Sequence, residues 1–264
     1  MILCADDYGL RDDIDDAILE LVDCGRLTAV SCMVVFERCS ATRLAELLKR
    51  QANVDIGLHF CLTNENLPLS VSSTSPALPP LYDSFSAVLR GALLGGQKAR
   101  ELHRQVQSQY EFFLQKCGKR PDYIDGHLHV HQLPGVREAL VDFVATLPSE
   151  CRPYIRNTRA SLRELRGRRL PWLKAASIGF YGARIYKQLH LAGIPTNEGF
   201  VGIYDFRNCT QYPQYLPRFV DSLTDRNGIM VVHPGKNDDW RHAEFKALRE
   251  FAFATGSLNR YERL

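Results

Sequence analysis

Apolar and polar residues follow one another along the chain in segments that predict β-strands followed by α-helices. The apolar run "MILCA" (1–5) predicts a first strand, and apolar residues at helical spacing over 14–22 predict a helix that ends near Gly25. The run "AVSCMVVF" (29–36) predicts a buried strand and "ATRLAELLKR" (41–50) a helix. The chain therefore begins with repeated strand–helix units.

The same alternation continues in the middle of the chain, after a long loop that runs from about 62 to 82. The run "DIGLHFCL" (55–62) predicts a third strand before this loop. Helical spacing returns over 102–114 and again over 136–147, and "YIDGHLHV" (123–130) between these helices predicts another strand. The loop is rich in proline and serine, which makes it a candidate substrate lid or, alternatively, a surface insertion.

Later strands are predicted at "YIRNT" (154–158), "FVGIY" (200–204) and "GIMVVH" (228–233), with a closing helix at "AEFKALREFAF" (243–253). Between 161 and 193 the pattern is less clear.

Repeated strand–helix units imply a parallel sheet, and the short strands favour one α/β domain over 1–264, built as a distorted (β/α) barrel. An open doubly wound sheet is the alternative. Both folds place functional residues at the carboxyl ends of strands.

Composition and charge narrow the range of partners and compartments. The chain has 33 Lys and Arg against 30 Asp and Glu, a formal charge of +3, and no long run of like charges. We therefore expect neither nucleic acid nor a membrane as a partner.

The eight cysteines form no CxxC pair, and acids appear at the sixth residue, where a signal peptide would be apolar. These features predict a reduced, cytoplasmic protein and leave the oligomeric state open, a homodimer included.

Side chains that can bind a metal follow four of the predicted strands. They are Asp6, Asp7, His59, His127, His129, His131 and His233. Taken singly, a histidine in an apolar run is usually a satisfied core residue, and adjacent acids are common at helix starts. Period-two alternation would place all three imidazoles of "HLHVH" on one face of a strand, and parallel strand ends converge on one edge. Together the four strand ends favour a functional site.

The chemistry of these side chains points to a catalytic metal. One carboxylate with two imidazoles leaves coordination positions open for water and substrate. The backbone turns where a strand ends, so the two adjacent aspartates can reach the same pocket. The second aspartate is then free to accept a proton from water.

Four motifs carry a resemblance to a known family: "ADDYGL" (5–10), "IGLHFCLT" (56–63), "PDYIDGHLHVHQLPGV" (121–136) and "VVHPG" (231–235). In this order and spacing the chain resembles the YdjC-like carbohydrate deacetylases, which include chitooligosaccharide deacetylase and are distantly similar to the NodB polysaccharide deacetylases. The resemblance implies a distorted barrel related to the polysaccharide deacetylase fold. It also implies hydrolysis of the N-acetyl group of N-acetylglucosamine-containing di- or oligosaccharides, with release of acetate.

The resemblance also implies roles for individual residues. The ligands of one divalent metal ion would be Asp7, His59 and His127. Asp6 would be the general base, and His233 the general acid on the leaving amine. Arg156 would hold Asp6 ionised, although an arginine after a strand is about as often a surface residue.

Several alternatives stay open at this point. His129 and His131 are other candidate ligands of metal or substrate. Two imidazoles and a carboxylate suit Zn²⁺, whereas the family is commonly associated with Mg²⁺. A two-metal phosphoesterase and an inactive sugar-binding protein of the same fold are the rival functions, and the sugar, its length and its phosphorylation are not determined.

Overall fold

The computed structural model describes residues 1–36, 39–63, 82–94, 99–160, 172–223 and 227–263. Most of the loop predicted as a substrate lid lies outside these residues. The strands that the described residues form are β1 (Ile2–Tyr8), β2 (Ala29–Cys32), β3 (Asp55–Phe60), β4 (Tyr123–Gly126), β5 (Tyr154–Ile155), β6 (Phe200–Val201) and β7 (Ile229–Val232).

All seven described strands pair in parallel, in the order β5-β4-β3-β2-β1-β7-β6. From β1 to β5, each strand lies beside the one that precedes it in the chain. The last two strands, β6 and β7, then lie on the other side of β1, with β7 next to it. This is the strand order of a barrel that has not fully closed. A single bridge between Ile155 and Thr196 links the β5 edge to the segment that enters β6. The sheet thus curls toward closure, and the predicted distorted (β/α) barrel is confirmed.

Helices cover the outside of the curled sheet. They are α1 (Asp12–Asp23), α2 (Ala41–Leu48), α3 (Phe85–Leu94), α4 (Ala99–Cys117), α5 (Val136–Ala145), α6 (Trp172–Leu191), α7 (Tyr212–Ser222) and α8 (Asp239–Glu250). Gly25 and Gly118, which follow α1 and α4, both have a φ of +65°, as expected for helix caps. Most of the range with the unclear pattern belongs to α6. Among the described helices, none has the length and apolar character needed to cross a membrane.

Alternate residues of the strands line the inside of the barrel. The inner cluster of buried apolar side chains comprises Ile2, Cys4, Ala29, Tyr123, Tyr154, Phe200, Ile203, Ile229 and Val231. The intervening residues, such as Leu3, Val30 and Leu58, belong to a separate cluster that packs against the helices. The barrel is therefore filled by side chains at its base, and polar residues can gather only toward the carboxyl ends of the strands.

A glycine in β3 makes room for the aromatic rings inside the barrel. A Cβ atom on Gly57 would lie 2.4 Å from Cζ of Tyr123. The Tyr123 ring stacks on Tyr154 with ring centroids 4.9 Å apart, and Tyr154 stacks on Tyr261 at 4.0 Å. Gly57 is thus required by close packing, the usual reason for glycine inside a strand.

The histidine run after β4 differs from the prediction. β4 ends at Gly126, and His127–Gln132 forms short 3₁₀ turns in which Leu128 and His129 have φ values of 53° and 59°. The prediction that alternation places three imidazoles on one strand face is therefore wrong. The chain folds back because His131 packs against Gly126 and donates a hydrogen bond from Nε2 to the carbonyl oxygen of Arg156, at 2.8 Å.

Candidate functional site

Asp6 and Asp7 both face the carboxyl end of the barrel, although they are adjacent in one strand. Asp6 follows the alternation of the inward residues Ile2 and Cys4. The register of β1 against β2 shifts between Ala5 and Tyr8, and Asp7 has a φ of 71°. This irregularity turns Asp7 toward the same pocket, and both carboxylates are buried.

The three predicted metal ligands lie together at this end of the barrel. Oδ1 of Asp7 is 3.1 Å from Nδ1 of His127 and 3.4 Å from Nε2 of His59. All three side chains are buried, and one potential ligand atom from each lies within 4.8 Å of the others. Their donor set of one carboxylate and two imidazoles suits a divalent transition metal.

His59 has a carboxylate at each of its ring nitrogens. Nδ1 is 2.6 Å from Oδ1 of Asp125, and Nε2 faces Asp7. A neutral imidazole carries only one N–H, so one of the two contacts requires a proton or a metal cation. Burial alone would lower the pKa of His59, but Asp125 and Asp6 raise it to about 10. With Asp125 holding the proton on Nδ1, Nε2 is the atom oriented to bind a metal.

A buried arginine lies between the other two acids of the site. Arg156 contacts Asp6 through two 2.8 Å pairs, Nη1–Oδ1 and Nη2–Oδ2, and its Nη2 is 2.9 Å from Oδ2 of Asp125. Burial alone would raise the pKa of Asp6, but Arg156 and His59 hold it well below its usual range. Cys4, Asp6 and Asp125 form a second group of metal-capable atoms, and here the guanidinium supplies the positive charge.

His233 follows β7 and lies beside Asp6. Its Nε2 is 3.8 Å from Oδ2 of Asp6, and its backbone N–H donates to Glu244 at 2.5 Å. The Glu244 carboxylate also accepts a hydrogen bond from the Tyr204 hydroxyl at 2.9 Å. Burial lowers the pKa of His233 to about 4, against the opposing effect of Asp6 and Asp7. The imidazole is therefore neutral near pH 7 and can donate a proton only after receiving one.

The structure thus brings together all six residues predicted for the site, which are Asp6, Asp7, His59, His127, Arg156 and His233. The other two candidate histidines, His129 and His131, belong to neither group of metal-capable atoms found among the described residues. His131 bonds to the backbone of Arg156, and the His129 ring lies edge-on to Phe200 with centroids 5.6 Å apart.

Two residues that the sequence reasoning missed also belong to the site. Asp125 occupies the inward position two residues before His127, so strand alternation could have identified it. Arg241 lies on α8, and its Nη2 is 2.6 Å from Oδ2 of Asp7. No spacing in the sequence relates this helix residue to the first strand.

Comparison with known proteins identifies the family. The family model described as YdjC-like protein matches residues 1–257. A chitooligosaccharide deacetylase from Serratia marcescens is 29% identical over 195 residues, which cover 72% of this chain and 73% of the relative. A carbohydrate deacetylase from Geobacillus stearothermophilus is 29% identical over 186 residues, with coverage of 70% and 69%.

A solved structure supports the fold. A crystallised Enterococcus faecalis protein described as a cellobiose-phosphate cleavage protein superposes with a TM-score of 0.64 at 18% identity, covering 94% of this chain and 90% of that protein. The match to the family model extends over nearly the whole chain and includes all four sequence motifs and every residue of the site described above. The chain belongs to the YdjC-like protein family.

Proposed function

We propose that the protein is a metal-dependent carbohydrate deacetylase that hydrolyses the acetamide group of an N-acetylated sugar and releases acetate. The deacetylase names of the relatives from Serratia marcescens and Geobacillus stearothermophilus support the reaction class. The observation that carries the proposal is the placement of an ionised aspartate, Asp6, beside the candidate metal ligands and a neutral histidine, His233.

Asp7, His59 and His127 would hold the divalent cation, whose contribution when bound is to polarise the amide carbonyl and to lower the pKa of a water molecule. The two carboxylates around His59 support this assignment, because Asp125 would keep the proton on Nδ1 while Nε2 and Asp7 would both be available as ligands. Zn²⁺ fits the two imidazoles better than Mg²⁺, which prefers oxygen ligands.

The residues of the chain supply the proton transfers. Asp6, kept ionised by Arg156, accepts a proton from the attacking water. His233 is neutral, and its Nε2 lies 3.8 Å from Oδ2 of Asp6, so it receives that proton through one bridging water molecule and donates it to the leaving amine. Each turnover then consumes one water and leaves Asp6 and His233 in their starting states.

The rival two-metal phosphoesterase is less well supported. Such sites hold two cations close together between shared ligands. Here the second acidic group, which includes Asp6 and Asp125, already pairs with the buried guanidinium of Arg156. The described residues therefore offer ligands for one metal ion rather than for two.

The test is acetate release from N,N′-diacetylchitobiose and its phosphorylated form, measured with added Zn²⁺ or Mg²⁺ and with a chelator. We expect acetate to appear only with metal. Phosphate release without acetate would favour the phosphoesterase, and binding without either product would favour the sugar-binding protein.

Two variants separate the roles of the adjacent aspartates. Asp6→Asn is expected to retain the metal in calorimetric titration and to lose turnover, whereas Asp7→Asn is expected to lose the metal. Asp16→Asn, at an exposed aspartate on α1, is the matched control and leaves both quantities unchanged. Near-full activity in Asp6→Asn would show that Asp6 is not the base.

A further inference from the structure

Two aromatic side chains, Phe206 and Trp240, form a surface beside His233 that we call the aromatic wall. Their rings stack with centroids 4.2 Å apart and planes inclined by 30°. The centroids of Phe206 and Trp240 lie 5.6 Å and 5.9 Å from that of the His233 ring. The wall therefore adjoins the residue proposed to protonate the leaving amine.

The aromatic wall and the neighbouring histidine are both partly exposed to solvent. Phe206 is 37% exposed, and the side chain of His233 is 19% exposed. Large apolar side chains at the edge of a polar cleft are a common feature of ligand sites. Two of the other exposed large apolar residues, Phe180 and Leu191, lie on α6 and have no such polar neighbours among the site residues.

The wall is also linked through Arg241 to Asp7, one of the proposed metal ligands. Cζ of Arg241 lies 4.3 Å from the centroid of the Trp240 ring, and the same guanidinium binds Asp7 at 2.6 Å. On its other side the Phe206 ring packs against the buried ring of Tyr204, with centroids 5.0 Å apart. Little ordering of the wall is needed when a ligand binds, which favours affinity.

We propose that the aromatic wall binds the apolar C–H face of the pyranose ring that carries the acetamide group. This assignment rests on the proposed function. A nitrogen that His233 protonates must come within about 3 Å of its Nε2. The wall begins less than 6 Å from the His233 ring, so the sugar ring bonded to that nitrogen is the part of the substrate that lies against it.

The proposal has a specific kinetic signature. Stacking involves a part of the sugar that does not react, so it stabilises the bound ground state and the transition state alike. Its loss should therefore raise KM and leave kcat nearly unchanged. We expect Phe206→Ala to raise KM about tenfold, a loss that corresponds to about 1.4 kcal/mol.

The experiment compares N-acetylglucosamine with N,N′-diacetylchitobiose. Phe206→Ala should raise KM by a similar factor for both sugars. Phe206→Leu, which keeps apolar volume without the aromatic face, should recover only part of the loss. Phe180→Ala removes an equally large exposed ring from α6 and should leave KM unchanged. An unchanged KM in Phe206→Ala, or an increase confined to the disaccharide, would overturn the assignment.

Calorimetric binding of the same sugars to Asp6→Asn, with and without Phe206→Ala, separates this proposal from the proposed function. If Phe206→Ala weakens sugar binding while the parent protein releases no acetate, the wall binds sugar and the proposed deacetylase activity is wrong. Acetate release with the same KM in the parent protein and in Phe206→Ala, together with equal sugar affinity in the two Asp6→Asn proteins, would support the deacetylase and reject sugar binding by the wall. Melting temperatures of all variants establish that each protein is folded.

Discussion

Arg156 holds Asp6 through two parallel 2.8 Å contacts inside the barrel, where both side chains are buried. This fork-to-fork geometry fixes the plane of the carboxylate as well as its charge, which a lysine ammonium cannot do. The guanidinium simultaneously contacts Asp125, so one cation orients the proposed base and the acid that holds His59.

Replacing Arg156 should therefore affect both stability and turnover. Arg156→Met leaves two buried carboxylates without their cation, and we expect a loss of about 3 kcal/mol in the free energy of unfolding. We also expect kcat for acetate release to fall by about 100-fold, because the Asp6 carboxylate loses its orientation. Arg156→Lys should restore part of the stability and little of kcat. Arg207→Lys, at an exposed ion pair, is the control, and normal kcat in Arg156→Met would refute the positioning role.

Asp125 should control the affinity of the site for metal. It accepts the hydrogen bond from Nδ1 of His59 at 2.6 Å and thereby directs Nε2 toward Asp7. Loss of such an outer partner typically weakens metal binding 10- to 100-fold. We expect this weakening for Asp125→Ala in calorimetric titration with Zn²⁺. Asp122→Ala, on the segment that enters the same strand, should bind Zn²⁺ normally, and equal affinities in the two variants would exclude the orienting role.

Arg241 should stabilise the protein most strongly when no metal is bound. Its ion pair with Asp7 is buried, so Arg241→Met removes the nearest cation from a buried carboxylate, at a cost of about 3 kcal/mol in the presence of a chelator. Added Zn²⁺ should reduce this loss, because the cation neutralises Asp7. Urea unfolding with and without Zn²⁺ measures both effects. Arg249→Met, at an exposed position of the same helix, is the control; a loss independent of Zn²⁺ would contradict the expected coupling.

Asp15 should make stability depend on pH. It is buried on α1, accepts a hydrogen bond from the Gly9 N–H at 2.7 Å, and burial raises its pKa to about 7. Between pH 4 and pH 7 the folded state therefore holds a proton that the unfolded chain has lost. The free energy of unfolding should fall as pH rises, by at most about 1.4 kcal/mol per pH unit relative to Asp15→Asn. Parallel pH profiles of the two proteins in urea unfolding would show that Asp15 does not carry this effect.

Much of the fold and of the site follows from local periodicity. Alternation of two residues places Asp6, His59 and His233 on the inner face of their strands, because successive side chains of a strand point to opposite sides. The repetition of strands and helices predicts the parallel sheet, whose strand ends then converge. Even Asp125, which was missed, lies where that alternation would place it.

Contacts between distant segments decided the rest. Asp7 faces the pocket only because β1 shifts its register against β2, and Arg241 reaches Asp7 only because α8 packs at the end of β7. His127, His129 and His131 do not share one strand face, because the strand ends at Gly126. Local sequence pattern determines which side of an element a residue occupies. The residue at which an element ends depends on packing between segments that are far apart in the sequence. The same packing decides which side chains lie opposite that end, and local pattern carries no information about it.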